Sequence, residues 1–220
     1  MHKSGTASLA GKGKEFSGNL FEIRLECGII FVKYATKTER THSVRRKEGK
    51  TDMKYASNNI RNILIAGHAG SGKTTLTEAL VYFSGAAERM GRVEDGTTIS
   101  DFDPEEAKRK ASLSASVVPV EYEGIKYNLI DAPGLFDFEA GEYEGIRAAE
   151  SVLVVVSGRS GVTVGAEKAF QLARKNGKAT MVFVSKCDLE NANYFKILED
   201  MKIKFGSTVC PCVVPAKLDD

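Results

Sequence analysis

The sequence has few cysteines and no long apolar run, and these two absences argue against disulfide-rich, zinc-binding and membrane-spanning proteins. Its 4 cysteines show no C-x-x-C spacing, so neither a disulfide scaffold nor a zinc site is expected. Cys210-Pro211-Cys212 is expected to place two thiols on one face of an extended segment, as small core residues. Apolar runs such as residues 27–32 are far too short to span a membrane. The first residues also lack the apolar core of a secretory signal, so a cytoplasmic location without a membrane partner is predicted.

The composition is sufficient for a packed domain, and the charge is unevenly distributed. Hydrophobic residues make up 42% of the 220 residues and charged residues 27%, which is typical of one globular domain with or without an appendage. Residues 1–52 carry 11 Lys and Arg against 6 Asp and Glu, a net charge of +5, whereas the remainder carries −3. Residues 1–56, with one possible strand within residues 20–34, show no pattern that could close a core. They are interpreted as a basic leader, disordered or non-native, ahead of a domain at residues 57–220.

The segment from Gly67 to Thr74 matches G-x-x-x-x-G-K-[ST], the pattern of the phosphate-binding loop. A buried strand is predicted before it, at residues 62–66, and a helix after it, at residues 75–82. In that context the loop N–H groups point at phosphate oxygens and the helix N-terminus adds the positive end of its dipole. Lys73 is expected to reach the β- and γ-phosphates, and the Thr74 hydroxyl to ligate Mg²⁺. The alternative is a glycine-rich turn without a ligand; the strand–loop–helix context favours binding of a nucleoside triphosphate.

Strand-like and helical patterns alternate over the rest of the chain. Further strands are predicted at residues 113–122, 125–130, 152–156, 180–184 and 209–214, and helices at residues 104–110, 146–149, 164–176 and 194–205. The Glu123-Gly124 pair predicts a hairpin turn between the first two of these strands. The alternation predicts an α/β fold in three layers, a mostly parallel sheet with helices on both faces. Ligands of such sheets bind at the carboxyl ends of the strands.

Asp131-Ala132-Pro133-Gly134 follows one predicted strand and has the pattern D-x-x-G. A carboxylate at Asp131 can hold Mg²⁺ through water, and the Gly134 amide can meet the γ-phosphate, so the loop would sense whether that phosphate is present. By itself this pattern also fits an ordinary polar turn after a strand. The phosphate-loop pattern upstream is what makes it informative.

Ser185-Lys186-Cys187-Asp188 stands at the end of another predicted strand. The Asp188 carboxylate can accept two hydrogen bonds from the N1–H and N2–H₂ groups of guanine, whereas adenine offers no such pair of donors. The aliphatic stem of Lys186 can cover the face of the base. The three loops, in this order and at this spacing, predict GTP rather than ATP.

Residues 58–215 resemble the GTPase domain of translation elongation factor G, and more closely its elongation factor G-like paralogues. The matching segments are Arg61-Asn62-Ile63, the run from Gly67 to Leu76, the run from Asp131 to Phe138, and Gly161-Val162-Thr163-Val164. The resemblance implies the fold of P-loop NTPases, GTP or GDP with Mg²⁺, and a ribosome-associated GTPase of the translocation or recycling type. The GTP-binding residues that it implies are Gly67, His68, Ala69, Gly70, Ser71, Gly72, Lys73, Thr74, Thr75, Asp131, Ala132, Pro133, Gly134, Leu135, Ser185, Lys186, Cys187 and Asp188. The metal ligands that it implies are Thr74, Ser112 and Asp131.

The chain departs from the family pattern at several places. Ser185 stands where the family usually has Asn, and Gly70 where it often has Asp. The segment Lys110-Ala111-Ser112-Leu113-Ser114 replaces an Arg-Gly-Ile-Thr-Ile segment whose Thr ligates Mg²⁺, and Ser112 is the candidate for that role. Leu135 occupies the place of the histidine that orients the attacking water. Leucine has neither donor nor acceptor, and such a loss typically costs about 10²–10⁴ in rate.

No catalytic residue is assigned. His68 is interpreted as structural, because the family also carries histidine there, and Asp137 and Glu139 as solvated acids at a helix start. The predicted function is a GTP-binding domain of an elongation factor G-like factor that hydrolyses GTP slowly. A non-hydrolysing GTP-binding switch module and a phosphate-loop kinase of small molecules stay open as alternatives.

The ends of the chain carry their own expectations. Residues 1–52 are either a basic tail that contacts ribosomal RNA or extra sequence before a translation start at Met53. The fifth guanine-contacting segment of the family is not found, and Val214-Pro215-Ala216-Lys217 is a poor substitute. The chain is expected to be a fragment of a longer factor, with a truncated reading frame as the alternative. Ribosome contact would then occur through domains outside this chain, and no DNA partner is predicted.

Overall fold

The computed structural model describes residues 32–34, 55–190 and 192–213. The predictions for the rest of the leader, for Cys27 and for residues 214–217 lie outside these ranges. The strands are β1 (Val32–Tyr34), β2 (Ile60–Ala66), β3 (Ser116–Tyr122), β4 (Ile125–Asp131), β5 (Ser151–Ser157) and β6 (Ala179–Ser185). The α-helices are α1 (Lys73–Phe83), α2 (Pro104–Arg109), α3 (Glu139–Ala148), α4 (Val164–Lys175) and α5 (Tyr194–Phe205), with short 3₁₀ helices at Ser57–Asn59 and Phe136–Phe138.

The six strands of the described residues belong to one sheet, in the order β1-β6-β5-β2-β4-β3. The four central strands are parallel, and the two edge strands β1 and β3 run antiparallel to their neighbours. The parallel strands are β-branched runs such as Val152–Val156, which lies between helices on both faces of the sheet. The predicted mostly parallel α/β sheet is confirmed. Its geometry brings the carboxyl ends of β2, β4 and β6 to one edge.

Two apolar clusters fill the space between the sheet and its helices, one on each face. On one face, α1 packs on β2, β3 and β4, and α3 and α4 cover the opposite face, with α5 packed against α4. The cluster under α1 contains Ile65, Leu76, Val81, Val118, Val120, Leu129, Val155 and Phe183. The cluster under the other helices includes Leu64, Ile130, Ile146, Val154, Phe170, Met201 and Phe205. Alternate residues of one strand, such as Leu64 and Ile65, therefore serve opposite clusters, as the period of a strand requires.

Local turn and cap chemistry follows the sequence. Glu123 and Gly124 have φ angles of 50° and 76°, the two positive values of a type I′ hairpin turn. Asp103 caps α2 by accepting a hydrogen bond from the Glu105 amide at 2.8 Å, and the Glu106 carboxylate reaches back to the Asp103 amide at 3.4 Å. The other oxygen of Glu106 accepts from the amide of Leu113 at 2.8 Å. Glu106 therefore fixes the chain just beyond the helix as well as its start.

Some predictions about the C-terminal part are wrong. Residues 209–213 form no strand; only residue 211 makes an isolated bridge. Pro211 has no N–H for a ladder, and the outer edge of β6 is already paired with β1. Cys210 and Cys212 are exposed rather than core residues.

Helix α5 buries a narrower face than its apolar content suggests. Ile197, Met201 and Phe205 are buried, whereas Phe195 is 75% and Ile203 81% exposed. Helix α3 begins at Glu139, several residues before its predicted start. Among the residues that the structure describes, no helix has the length and apolar character needed to cross a membrane.

Candidate nucleotide-binding site

A cleft of about 280 Å³ lies at the carboxyl edge of the sheet. Four of the sequence-predicted segments line it: the phosphate loop (Gly67–Thr74), the chain around Ser112, the loop after β4, and the segment Ser185–Asp188 through Lys186. Its lining residues are Ala69, Gly70, Gly72, Lys73, Thr74, Thr75, Val93, Glu94, Asp101, Lys110, Ala111, Ser112, Gly134, Leu135 and Lys186. The fold thus brings together side chains that lie far apart in the sequence.

The phosphate loop has the backbone that its glycines permit. Gly67 has φ 135° and Gly72, the residue that precedes α1, has φ 94°, both in a region that other residues rarely adopt. A Cβ atom on Gly67 would also lie 2.5 Å from the carbonyl oxygen of Val155. The loop delivers the chain into α1, whose first N–H groups have no acceptor within the helix. The residues of this first turn, Lys73, Thr74 and Thr75, line the cleft, and a helix N-terminus at a cleft is the arrangement that suits a phosphate.

Lys73 is buried at the start of α1, where its ammonium group is held by the loop itself. Its Nζ donates a hydrogen bond to the carbonyl oxygen of His68 at 3.1 Å. Burial lowers the pKa of Lys73, and the carboxyl groups of Asp131, Glu142 and Asp101 oppose that effect. A cation that is buried among acids and bonded to a neutral carbonyl is poised for an anionic ligand.

Gly134, in the loop after β4, packs directly against the phosphate loop and Lys73. Its carbonyl oxygen accepts a hydrogen bond from the amide of Ala69 at 3.0 Å. A Cβ atom at Gly134 would lie 2.3 Å from Lys73 Nζ and 2.6 Å from the Ala69 nitrogen. Only glycine permits this approach, so the D-x-x-G loop and the phosphate loop are in direct contact, as the sequence predicts for two parts of one site.

Four oxygen-bearing side chains meet beside Lys73. Thr74 donates a hydrogen bond from Oγ1 to Asp131 Oδ2 at 2.8 Å, and Ser112 donates from Oγ to Asp101 Oδ1 at 2.7 Å. The two hydroxyl oxygens lie 3.3 Å apart. Because each hydroxyl has one hydrogen and gives it to a carboxylate, the lone pairs of both oxygens remain for a cation.

Asp131 supports the same conclusion. It is 1% exposed, and within the described part of the chain its Oδ1 has no hydrogen-bond partner. Burial raises the pKa of Asp131 to about 6, against the charge of Lys73 and the hydrogen bond from Thr74. Hydroxyls and carboxylates are the hard oxygen donors that Mg²⁺ prefers, so the residues present fit this ion.

Asp101 is the member of this cluster that the sequence analysis missed. It is 5% exposed, and burial raises its pKa while the hydrogen bond from Ser112 lowers it. In the sequence it stands two residues before the cap Asp103 and is indistinguishable from it. Only the folded chain, which places Ser112 against it, separates the buried acid from the exposed one.

The Ser185–Asp188 loop is tied to the phosphate loop by its first two side chains. Ser185 donates from Oγ to the carbonyl oxygen of Ser71 at 2.6 Å, and Lys186 donates from Nζ to the carbonyl oxygen of Gly70 at 2.8 Å. Cys187 is partly buried, and Asp188 is exposed beyond the loop. Ser185 and Lys186 therefore join the two loops directly.

Gly158 supports this loop from β5 and was also missed. Its amide donates to the Ser185 carbonyl oxygen at 2.6 Å. A Cβ atom on it would lie 2.8 Å from that oxygen and 2.9 Å from the carbonyl oxygen of Lys186. The signal available in the sequence was a glycine directly after a buried strand, which indicates close approach of another backbone.

Leu135 lines the cleft with a side chain that is 39% exposed. The next residue, Phe136, packs its ring 5.8 Å from that of His68 and lies under Lys168 Nζ at 4.5 Å. Lys168 also pairs with Glu139 at 2.7 Å, so Glu139 is a paired rather than a solvated acid. Among the described residues His68 Nδ1 is buried without a hydrogen-bond partner, and His68 lies beside Gly165 of α4 rather than in the cleft lining.

The sheet topology and the phosphate loop define a nucleotide-binding domain of the P-loop NTPase class. Comparison with protein families is more specific, because residues 58–214 match the family described as the elongation factor Tu GTP binding domain. The chain belongs to this family. The predicted resemblance to translational GTPases is confirmed.

Known relatives agree with this assignment. The chain is 36% identical over 157 residues to an elongation factor G-like protein of Mycobacterium tuberculosis (strain H37Rv), which covers 71% of this chain and 22% of that protein. It is 31% identical over 182 residues to the mitochondrial ribosome-releasing factor 2 of Drosophila ananassae, covering 83% and 25%. A crystal structure of a protein from Thermus thermophilus matches with a TM-score of 0.65 and 44% identity, over 67% of this chain and 22% of that one. The chain thus spans a quarter or less of the length of these relatives.

Proposed function

We propose that this chain binds GTP with Mg²⁺ as the nucleotide-binding domain of an elongation factor G-like translation factor. The observation that carries the proposal is the contact between the Ser185–Asp188 loop and the phosphate loop. Ser185 and Lys186 bond directly to the main chain of Ser71 and Gly70. A base recognised by Asp188 would therefore lie at a fixed distance from phosphates held by Lys73.

Each group in the cleft has a definite role in this proposal. The phosphate-loop amides and Lys73 hold the phosphate oxygens, and the Gly134 amide meets the terminal phosphate. Thr74 and Ser112 offer hydroxyl oxygens to Mg²⁺, with Asp131 and Asp101 as the acids behind them. When bound, the ion would neutralise charge on the phosphate oxygens.

Calorimetric titration of the full chain with GTP, GDP and ATP tests the proposal. We expect guanine nucleotides to bind and ATP to bind far more weakly, because adenine leaves the Asp188 carboxylate without donors. Asp188→Asn should remove most of this preference, and Glu190→Gln, an exposed neighbour, should leave it unchanged. Equal binding of GTP and ATP by the unchanged protein would contradict guanine recognition at this loop.

The reaction after binding has two candidates. As a family member the chain is expected to hydrolyse GTP, slowly because Leu135 offers the attacking water no hydrogen bond. The exposed position of Leu135 on the cleft wall also favours a module that binds GTP and switches without hydrolysing it. Single-turnover hydrolysis with and without ribosomes separates them, since ribosome-stimulated turnover would eliminate the module.

A role on the ribosome follows from the names of the relatives. One is described as an elongation factor G-like protein and another as a ribosome-releasing factor. Translocation and recycling are therefore the two steps that we propose. Co-sedimentation of the chain with ribosomes, in GTP against GDP, would test this part separately from nucleotide binding.

A further inference from the structure

Glu78 lies in the second turn of α1, and the segment after the helix encloses its carboxyl group. The side chain is 1% exposed. Its Oε1 accepts a hydrogen bond from the amide of Ile99 at 2.6 Å, and its Oε2 from the amide of Gly91 at 3.2 Å. Within the described chain these partners are main-chain N–H groups rather than cations. A buried carboxylate held in this way fixes the backbone that carries the two amides.

Gly91 has the residue type that this contact requires. A Cβ atom there would lie 2.5 Å from Glu78 Oε2 and 2.5 Å from the carbonyl oxygen of Thr97. Neither distance is tolerated by real atoms, so the backbone approaches the carboxylate only as glycine. The contact is therefore built from both sides, by an acid on the helix and a glycine on the loop.

The segment held by Glu78 is the one that carries two members of the oxygen cluster. Ile99 stands two residues before Asp101, whose Oδ1 accepts a hydrogen bond from Ser112 at 2.7 Å. Ser112 in turn lies 3.3 Å from Thr74, in the first turn of the same helix. Helix α1 thus touches residues 84–115 at two levels, through Glu78 and through Thr74. Ser112 makes the second contact, and Asp101 lies between the two contacts along the chain.

We propose that Glu78 is a positioning residue: by holding the amides of Gly91 and Ile99 it sets Asp101 and Ser112 in place beside the phosphate loop. Glutamine at this position would present its NH₂ group to one of the two amides, and that contact would be lost. The consequence for Mg²⁺ and GTP rests on the proposed function. The anchoring itself is a property of the nucleotide-free protein, so the two can fail separately.

Hydrogen exchange on the full chain without nucleotide tests the anchor. In Glu78→Gln we expect peptides that cover residues 91–101 and 110–114 to exchange faster than in the unchanged protein. Gly91→Ala, which disturbs the same contact from the loop, should do the same. Glu88→Gln is the matched control, because it makes the same chemical change at an exposed position in the same segment.

Titration with Mg²⁺ at fixed GTP tests the positioning. Glu78→Gln and Gly91→Ala should raise the Mg²⁺ concentration for half-maximal GTP binding by about tenfold, the value of one charge-assisted hydrogen bond at the low end of its range. Affinity for GDP in EDTA should stay within about twofold, because the guanine and phosphate contacts of Lys186 and Lys73 are elsewhere. A merely structural role would lower both affinities together.

Several results would overturn the proposal. The first is hydrogen exchange at residues 91–101 that is the same in Glu78→Gln as in the unchanged protein. The second is an equal loss of GTP and GDP affinity in Glu78→Gln. The third is the appearance of the same changes in the Glu88→Gln control. If Glu78→Gln does not fold by circular dichroism, Gly91→Ala decides alone; if neither folds, Glu78 is a general core group and not a positioning residue. If the unchanged protein binds no GTP, the proposed function fails, and the exchange data still decide whether Glu78 holds the segment.

Discussion

Glu142 offers the sharpest test of the electrostatics around the cleft. It lies on α3 and faces three charged groups from three helices: Lys73 of α1, Glu139 of its own helix and Lys168 of α4. Burial raises the pKa of Glu142 from 4.5 to about 7, with a contribution from Glu139 and against the two lysines. The folded protein therefore binds a proton at Glu142 more tightly than the unfolded chain does.

The sign and size of the effect follow by linkage. Below pH 4.5 the carboxyl group is protonated in both states and costs nothing. Between pH 4.5 and about 7 the unfolded chain loses this proton while the folded protein still keeps it, so stability falls over that interval, and above about pH 7 the full cost is present. At about 1.4 kcal/mol for each pH unit the full cost is about 3 kcal/mol, and solvent at the partly exposed edge of the side chain reduces it to about 2 kcal/mol.

Urea unfolding at pH 5 and pH 8 measures this cost. Glu142→Gln should be more stable than the unchanged protein at pH 8 by about 2 kcal/mol and similar to it at pH 5. Asp101 and Asp131 also have a raised pKa, but they are present in both proteins and cancel in the difference. Glu144→Gln, an exposed position on the same helix, should show no such difference. Parallel pH dependences for Glu142→Gln and the unchanged protein would refute the reasoning.

Three further predictions concern the cleft. Asp188→Asn should weaken GTP by about ten- to a hundredfold and gain affinity for xanthosine triphosphate, whose C2 oxygen accepts from the Asn amide; fluorescence titration with both nucleotides measures this. Leu135→His should raise the rate of single-turnover GTP hydrolysis by a factor of up to about 10²–10⁴. Leu189→His is the control, because Leu189 is also 39% exposed but lies outside the cleft lining. This change should leave the rate unchanged. Asp101→Asn should raise the Mg²⁺ midpoint for GTP binding by about tenfold with little effect on GDP binding in EDTA, and an unaltered midpoint would remove Asp101 from the metal side of the cleft.

The parts of the fold that could be predicted are those with a short-range signal. The strand before Gly67 and the helix after it follow from periodicity, and the α2 cap follows from Asp103 with Pro104 behind it. The predicted helix at residues 146–149 is too short because the first seven of the ten residues of α3 have no apolar repeat. The final strand was wrong because a run with high strand propensity still needs a free sheet edge, and β1 occupies the edge of β6.

The parts of the site that could not be predicted depend on tertiary contact. Asp101 and Glu78 are charged residues in polar surroundings of the sequence, where a solvent-exposed position is the default. Each becomes informative only when the chain places a hydroxyl or two amides against it. The phosphate loop, by contrast, could be predicted because its chemistry is local: adjacent amides and a helix end form most of it.

Lys73 is the one buried cation among the described residues, and the acids around it carry more charge than it can neutralise. Asp101, Asp131 and Glu142 all act on Lys73, and burial raises the pKa of each of the three carboxyl groups. Such a local conflict lowers stability and is typical of functional sites. A divalent cation beside Asp131 and phosphate oxygens on Lys73 would each relieve part of this unfavourable charge balance. The cation also attracts the phosphates. The two ligands together should therefore stabilise the domain by more than the sum of their separate effects.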